Sequence, residues 1–285
     1  MPPALYIVST PIGNLEDITL RALRILKEVD LIAAEDTRHT AVLLDRYDIR
    51  TPTTSFHEHN EREKTPVLLK RLVAGETIAL VSDAGTPGIS DPGYRLVGAA
   101  RAAGVPVVPV PGPSAVLAAL VSSGFPTDSF TFLGFPPRKA QARQHWAAEI
   151  ASEQRTVVFF ESPHRLRQTL KDLESYLVNR PIMIGRELTK VHEELVIRPI
   201  ETWLKALTEP RGEYVIVIPP NDETSPKHEV PSDEEVADYY QRALEIGLST
   251  KRQQIRNVAD HFGLSSRTVY AALERAKKQR SVSGT

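Results

Sequence analysis

The chain has 285 residues, 41% of them hydrophobic and 25% charged, enough to bury the core of one large or two modest folded units. Its 35 Lys and Arg nearly cancel 36 Asp and Glu, so whole-chain charge predicts no polyanionic partner and any nucleic-acid contact must come from local charge. The absence of cysteine excludes disulfides and thiolate metal sites, and the eight histidines show no HExxH spacing.

The chain opens on "MPPALYIVSTPIGNLED", which lacks a basic segment and has an apolar run too short for a signal peptide or membrane span; a cytoplasmic location is expected. Short β-branched runs then alternate with helical patterns: "LYIVST" and "TLRALRILKEV", "LIAAED" and "HTAVLLDRY", "TIALVSD" and "GYRLVGAARAAG", "VPVVPV" and "PSAVLAALVSSG". This alternation predicts βαβ units around a mostly parallel sheet. In a second series, "SFTFLGF", "RTVVFFES", "PIMIGREL" and "GEYVIVIPP" follow one another with fewer helices between them, which predicts a mixed sheet with antiparallel pairs. The reading divides the chain into an α/β domain over 1–116, a second over 117–220, a polar, proline-bearing linker over 221–234 and a helical module over 235–285. In the last, "TKRQQIRNVADHFGLSSRTVYAAL" resembles a helix-turn-helix, and residues 251–280 carry eight Lys or Arg against Asp260 and Glu274. Phosphate contact and a merely solvated basic face are both compatible with that pattern.

Four loops at strand ends stand out: "STPIGNLED", "AEDTRHT", "SDAGTPGISDPG" and "PVPGPSAV". In an open α/β sheet ligands sit beyond the carboxyl ends of the strands. No GxGxxG follows the first strand and no GxxxxGK[ST] occurs, which disfavours dinucleotide and P-loop sites. Glycine in the third loop allows main-chain atoms to approach a ligand, although "GTPG" and "SDPG" also read as two ordinary β-turns.

With "LGFPPRK", "ESPHRL" and "GRELTKVHEE", these loops closely resemble the small-subunit 16S ribosomal RNA (cytidine-2′-O)-methyltransferase family, within the tetrapyrrole-methylase-like class of S-adenosylmethionine enzymes. The resemblance runs from Leu5 to about Pro219. It implies a two-domain α/β fold with parallel and mixed sheets, S-adenosyl-L-methionine in the cleft between domains, no metal, a homodimer, and a target ribose in the decoding region of 16S rRNA. By the same resemblance the cofactor is held by Pro11, Asp83, Ala84, Gly85, Thr86, Ile89, Ser114, Ala115, Phe160, Glu161, Leu188 and Glu213, with "SDPG" starting the next helix. The first loop has less glycine than its tetrapyrrole counterparts, leaving the part played by Gly13 open.

Methylating a 2′-hydroxyl calls for a base within hydrogen-bond reach. Lys190 and Glu187 are the candidates, with Arg186 and Asp36 beside them, though "GRELTKVHEE" also reads as a solvated loop exchanging salt bridges. Substrate contacts are expected from Glu35, Arg38, His59, Asn60, Arg138, Lys139, Arg165, Lys251, Arg252 and Arg267, while Glu35 to Arg38 also read as a helix start. Two other functions fit the pattern less fully: a small-molecule methylase of tetrapyrrole type, and a ligand-sensing regulator whose terminal helices bind nucleic acid.

Overall fold

The computed structural model describes residues 2–177, 180–208, 210–221, 233–245, 251–262 and 266–282, and the chain divides into two units, Met1–Asn221 and Asp222–Thr285. Five parallel strands open the first unit: β1 (Leu5–Val8), β2 (Leu31–Ala34), β3 (Thr53–Ser55), β4 (Ile78–Val81) and β5 (Val107–Val110), in the order β3-β2-β4-β1-β5. Helices α1 (Leu20–Glu28), α2 (Thr37–Arg46), α3 (Glu61–Val73) and α4 (Tyr94–Ala102) connect them. Side chains alternate along each strand, so Tyr6 and Val8 join a core with Ile25 and Leu26 of α1 and Leu43 and Leu44 of α2. Leu5 turns the other way, into a core with Leu68 and Leu72 of α3 and Leu96 of α4. With both faces covered, the strands read as unbroken apolar runs. Thr19 starts α1, its hydroxyl accepting the Ala22 N–H at 3.1 Å, and Asp36 starts α2 in the same manner.

The second sheet holds β6 (Phe130–Phe132), β7 (Thr156–Glu161), β8 (Pro181–Arg186), β9 (Glu194–Pro199) and β10 (Tyr214–Ile218), in the order β6-β7-β10-β8-β9. It is mixed, as expected: β6 and β7 run parallel, while β10 is antiparallel to both β7 and β8, and β8 to β9. With it come α5 (Ala115–Ser122), α6 (Ala140–Ser152), α7 (Pro163–Glu174) and α8 (Ile200–Ala206). Trp146 and Ile150 of α6, Leu166 and Leu170 of α7 and Trp203 of α8 cover one face, where Trp146 meets Phe159 edge-on at 5.0 Å. The other face receives α5. Val116, Ala119 and Leu120 pack with Val158, Met183, Val215 and Val217, and Ile12 from the loop after β1 joins them. Helix α5 therefore follows a strand of the first sheet and packs on the second, and the domain boundary expected at 116/117 falls inside it.

Most of the expected linker lies outside the described residues, and the second unit consists of α9 (Asp233–Glu245), α10 (Lys251–Phe262) and α11 (Ser266–Val282). Val236, Tyr240, Val258, Val269 and Leu273 form its core, and Arg275 holds Asp233 through two hydrogen bonds of 2.7 and 2.8 Å.

Glu61 ties the turn after β4 to the first sheet. It is buried on α3, its Oε1 accepts the Gly93 N–H at 2.9 Å, and its Oε2 faces Arg95 at 3.5 Å. Glu61→Ala leaves that buried N–H without a partner and is expected to cost about 1–3 kcal/mol, read by urea denaturation; an unchanged midpoint would mean that the turn is held by other contacts.

Candidate active site

The two sheets present their loops to one cavity because of strand direction. Tyr214, the first residue of β10, pairs with Glu161 and with Arg186, the last residues of β7 and β8. The segment entering β10 thus lies at the same sheet edge as the segments leaving β7 and β8. Opposite stand the loops after β4 and β5 of the first sheet, and a cavity of about 340 Å³ lies between the two sets. Its size falls within the roughly 300–1,000 Å³ of small-molecule and cofactor sites.

Backbone pairing fixes the first-sheet side. Thr10 and Gly85 exchange two hydrogen bonds, 2.9 and 3.0 Å long, so the loops after β1 and β4 run side by side. Gly85 takes a φ of +75°, a conformation that costs glycine little and other residues much. The Thr10 hydroxyl donates to the Ser82 carbonyl at 3.0 Å, and the Ser9 and Thr86 hydroxyls meet at 2.9 Å. At the start of α5, the Ser114 hydroxyl accepts the Leu117 N–H. On the second-sheet side Phe160 packs against Phe132 and Phe135, with ring centroids 5.1 and 5.6 Å apart.

Ten of the twelve residues expected to hold the cofactor line this cavity: Ala84, Gly85, Thr86, Ile89, Ser114, Ala115, Phe160, Glu161, Leu188 and Glu213. Pro11 is buried outside the lining, and Asp83 is turned toward β2, its Oδ1 accepting the Asp36 N–H at 3.0 Å. Ile12, Ser90, Asp91, Phe135, Ser162 and Tyr214 line the cavity without having been singled out in the sequence. Ser90 and Asp91 belong to "SDPG", so that turn does more than start α4. The Pro-Gly pair signalled a turn, and nothing local signalled which way its side chains would face.

Three carboxylates line the cavity, and their surroundings differ. Glu161 is fully buried and accepts from the Ser162 N–H at 2.8 Å and the Thr169 hydroxyl at 2.5 Å, with Arg165 at 3.7 Å. Glu213 pairs with Lys190 at 2.9 Å. Asp91 has no ion-pair partner among the described residues, and burial pushes its carboxyl up to about 6, against the Ser82 hydroxyl, which favours the charged form, and with Glu35 and Asp83 adding to the rise. Behind it, burial also raises Glu35, whose carboxylate accepts the Asp83 N–H.

The residues expected to act as the base are arranged otherwise. The Lys190 ammonium sits between Glu187, at 3.0 Å, and Glu213. Burial draws its pKa down, but the hydrogen bonds to the two glutamates outweigh that and leave it above the ordinary lysine value. A base needs the opposite shift, so Lys190 is a fixed cation here. Burial raises Glu187, yet Lys190 and the Glu213 N–H bring it below its ordinary value. Arg186 reaches the Arg211 carbonyl and Glu194, and the Asp36 carboxylate is held low by hydrogen bonds from the Arg38 side chain and backbone.

Among the expected substrate contacts, Glu35, Arg38, His59, Asn60, Arg138 and Lys139 lie outside the cavity lining; Arg38, His59, Arg138 and Lys139 are exposed. Asn60 is engaged locally, accepting the His57 N–H at 2.9 Å. Arg165 is a structural clamp rather than a free cation: it donates to the Pro136 and Pro137 carbonyls at 2.7 and 3.0 Å and so fixes the loop that carries Phe135. The side chains of Lys251, Arg252 and Arg267 lie outside the described residues.

Gly13, whose part the sequence left open, lies outside the cavity lining. A Cβ there would lie 2.5 Å from Lys190 Cγ, 2.8 Å from Thr189 Oγ1 and 2.9 Å from the Leu188 carbonyl oxygen. Next to it, the Asn14 N–H donates to Thr189 Oγ1 at 3.0 Å. Gly13 is thus the seat on which the loop after β8 rests, and that loop is wound tightly, with Glu187 and Thr189 at φ of 50° and 65°. Gly13→Ala is expected to cost about 1–3 kcal/mol by overpacking and to loosen this loop, read as a lower thermal midpoint and faster amide exchange over 187–193; wild-type values for both would show that the loop yields freely.

The tetrapyrrole (corrin/porphyrin) methylase family matches residues 4–203. The chain is 46% identical over 272 residues to ribosomal RNA small subunit methyltransferase I of Synechocystis sp., covering 93% of this chain and 95% of the relative. It is 51% identical over 221 residues to the protein of the same name from Vibrio cholerae, covering 76% and 77%. Among solved structures, diphthine synthase superposes with a TM-score of 0.59 at 13% identity, covering 76% of this chain and 90% of that one. Uroporphyrin-III C-methyltransferase from Thermus thermophilus, complexed with S-adenyl homocysteine, gives 0.55 at 21% identity, covering 75% and 96%. At these identities the two structures speak for the fold alone. The chain belongs to the tetrapyrrole (corrin/porphyrin) methylase family and, within it, to the ribosomal RNA small subunit methyltransferases I, and it is an S-adenosylmethionine-dependent methyltransferase.

Proposed function

We propose that the protein methylates the ribose 2′-hydroxyl of a cytidine in the decoding region of 16S rRNA, within an assembled or nearly assembled small subunit. The observation that carries this reading is the cavity between the sheets, in a chain whose curated relatives are named for the small-subunit ribosomal RNA. Those names favour RNA over a tetrapyrrole as substrate.

The cavity fits the cofactor chemically. Small residues and main-chain atoms line it at Ala84, Gly85 and Ala115, apolar walls come from Ile12, Phe160 and Leu188, and hydroxyls from Thr86 and Ser114. Bound there, S-adenosylmethionine supplies an electrophilic methyl group on a sulfonium centre. The ten expected residues that line the cavity, from Ala84 to Glu213, hold it in this reading, while the loops fix the direction of approach; such positioning supplies much of the catalysis in a displacement with a good leaving group. Exposed Arg138 and Lys139, next to the clamped loop of Phe135, are suited to the phosphates of a single-stranded segment. In this reading the eight Lys and Arg of residues 251–280 add local positive charge for phosphate contact. We further infer a homodimer, from the apolar outer side that Leu117 and Val121 leave on α5, and a place in the cytoplasm, from the ribosomal RNA in the relatives' names.

The test is mass spectrometry of 16S rRNA from small subunits prepared without the protein and then treated with it and S-adenosylmethionine. The expected product carries one added methyl on a cytidine ribose in the decoding region. A methyl on the base, or transfer to a porphyrinoid with the subunits left untouched, would overturn the reading.

A further inference from the structure

We propose that Asp91 is the proton acceptor of the methyl transfer. The assignment rests on the 2′-O-methylation reading and names the base that the reaction calls for.

The geometry selects it from the three carboxylates of the cavity wall. Glu161 has its oxygens taken by Ser162, Thr169 and Arg165 and is fully buried behind them. Glu213 gives one oxygen to the Lys190 ammonium, and its side chain is mostly exposed to solvent. Asp91 alone of the three has no cation or N–H donor on it among the described residues, and its neighbour is a hydroxyl, Ser82. A carboxylate with an accepting oxygen free can take a hydrogen bond from an incoming hydroxyl, whereas Glu161 is saturated by donors and Glu213 is tied to a fixed cation at the exposed rim.

The backbone around Asp91 keeps it on the wall. Ser90 before it takes a φ of 61°, and Gly93 after it is tethered to Glu61 on α3. The charged groups around it are Glu35 from the end of β2, Asp83 from the same loop as Asp91, Glu161 and Glu213 across the cavity, and the Glu61–Arg95 pair beyond Gly93. The nearest of these, Glu35 and Asp83, are acidic. They add to burial and bring the carboxyl to about 6, where it is mostly ionised at neutral pH and more basic than an ordinary aspartate. In the step itself the O–C bond forms as the methyl–sulfur bond breaks. The sulfur keeps the bonding pair and becomes a neutral thioether, and the 2′-hydroxyl proton passes to Asp91, which later releases it to water.

Asp91→Asn keeps the shape and removes the basicity. With small subunits as substrate, the wild-type rate should rise about tenfold per pH unit below about 6 and level off above it. The variant should lose about 10²- to 10⁴-fold in kcat together with that pH limb, while calorimetry shows S-adenosylmethionine affinity falling far less than kcat. Ser82→Ala removes the hydroxyl that favours the charged form, so it should move the limb to higher pH while retaining the plateau rate. Independently of turnover, the Asp91 carboxyl carbon in the free protein should titrate near 6 by NMR. Full activity in Asp91→Asn, or a carboxyl titrating in the ordinary aspartate range, would overturn the assignment alone; wild-type protein that leaves small subunits unmethylated would overturn the functional reading and the assignment with it.

Discussion

The site depends on one backbone constraint, the pairing of Thr10 with Gly85 across the ends of two neighbouring parallel strands. Parallel strands normally diverge into separate crossovers, and here a pair of hydrogen bonds keeps the two loops together for one residue beyond the sheet. From that point the first loop carries Ile12 into the apolar cluster of the second sheet and sets Gly13 and Asn14 against residues 188–190. The other loop carries Thr86, Ile89 and Asp91 along the opposite wall. A single pairing thus registers the two sheets and spaces the walls between them.

Much of this architecture was legible in the sequence because its strands are buried on both faces. Runs such as "LYIV" and "VVFF" have no polar interruption, and the turn residues between runs are glycine and proline. Two edge strands escaped. Residues 53–55 contain two threonines and a serine and carry no apolar signature, and at 194–199 the short apolar run Leu195 to Ile197 sits between charged residues on a strand that is mostly exposed. Ten of the residues that the resemblance assigned to the cofactor line one cavity, whereas Ser90 and Asp91 were hidden behind an ordinary turn signal. Charges were the least legible. Arg165 and Lys190 look like free cations in a sequence, and only tertiary packing brings the Pro136 and Pro137 carbonyls to the first and Glu187 and Glu213 to the second.

The environments of the ionisable groups follow from the elements that carry them. Glu161 ends a central strand and is covered by α7, where Thr169 and Arg165 project onto it. Lys190 lies on the wound loop that Gly13 supports, within reach of the segment entering β10. Asp91 stands in a turn tethered to α3 through Gly93, in the same loop as Asp83 and near Glu35 at the end of β2, the two acids of its surroundings. Fold position therefore divides the carboxylates of the cavity into a structural anchor, Glu161, an ion-pair partner of Lys190, Glu213, and a weakly held proton acceptor, Asp91.

The character of the cavity suits that division. With Asp91 as acceptor, a carboxylate and a sulfonium become a carboxylic acid and a thioether, so opposite charges disappear as the reaction proceeds. Water solvates the two separated charges better than the neutral products, and a wet site would hold the reaction back in its starting state. A wall of Ile12, Ile89, Phe160 and Leu188 withholds that solvation, and around it Lys190 is paired with its two glutamates and Glu161 with Arg165. Apolar packing at the cavity is thereby part of the chemistry: it favours the direction in which charge is lost, while paired side chains outside the reacting line keep their geometry through the transfer.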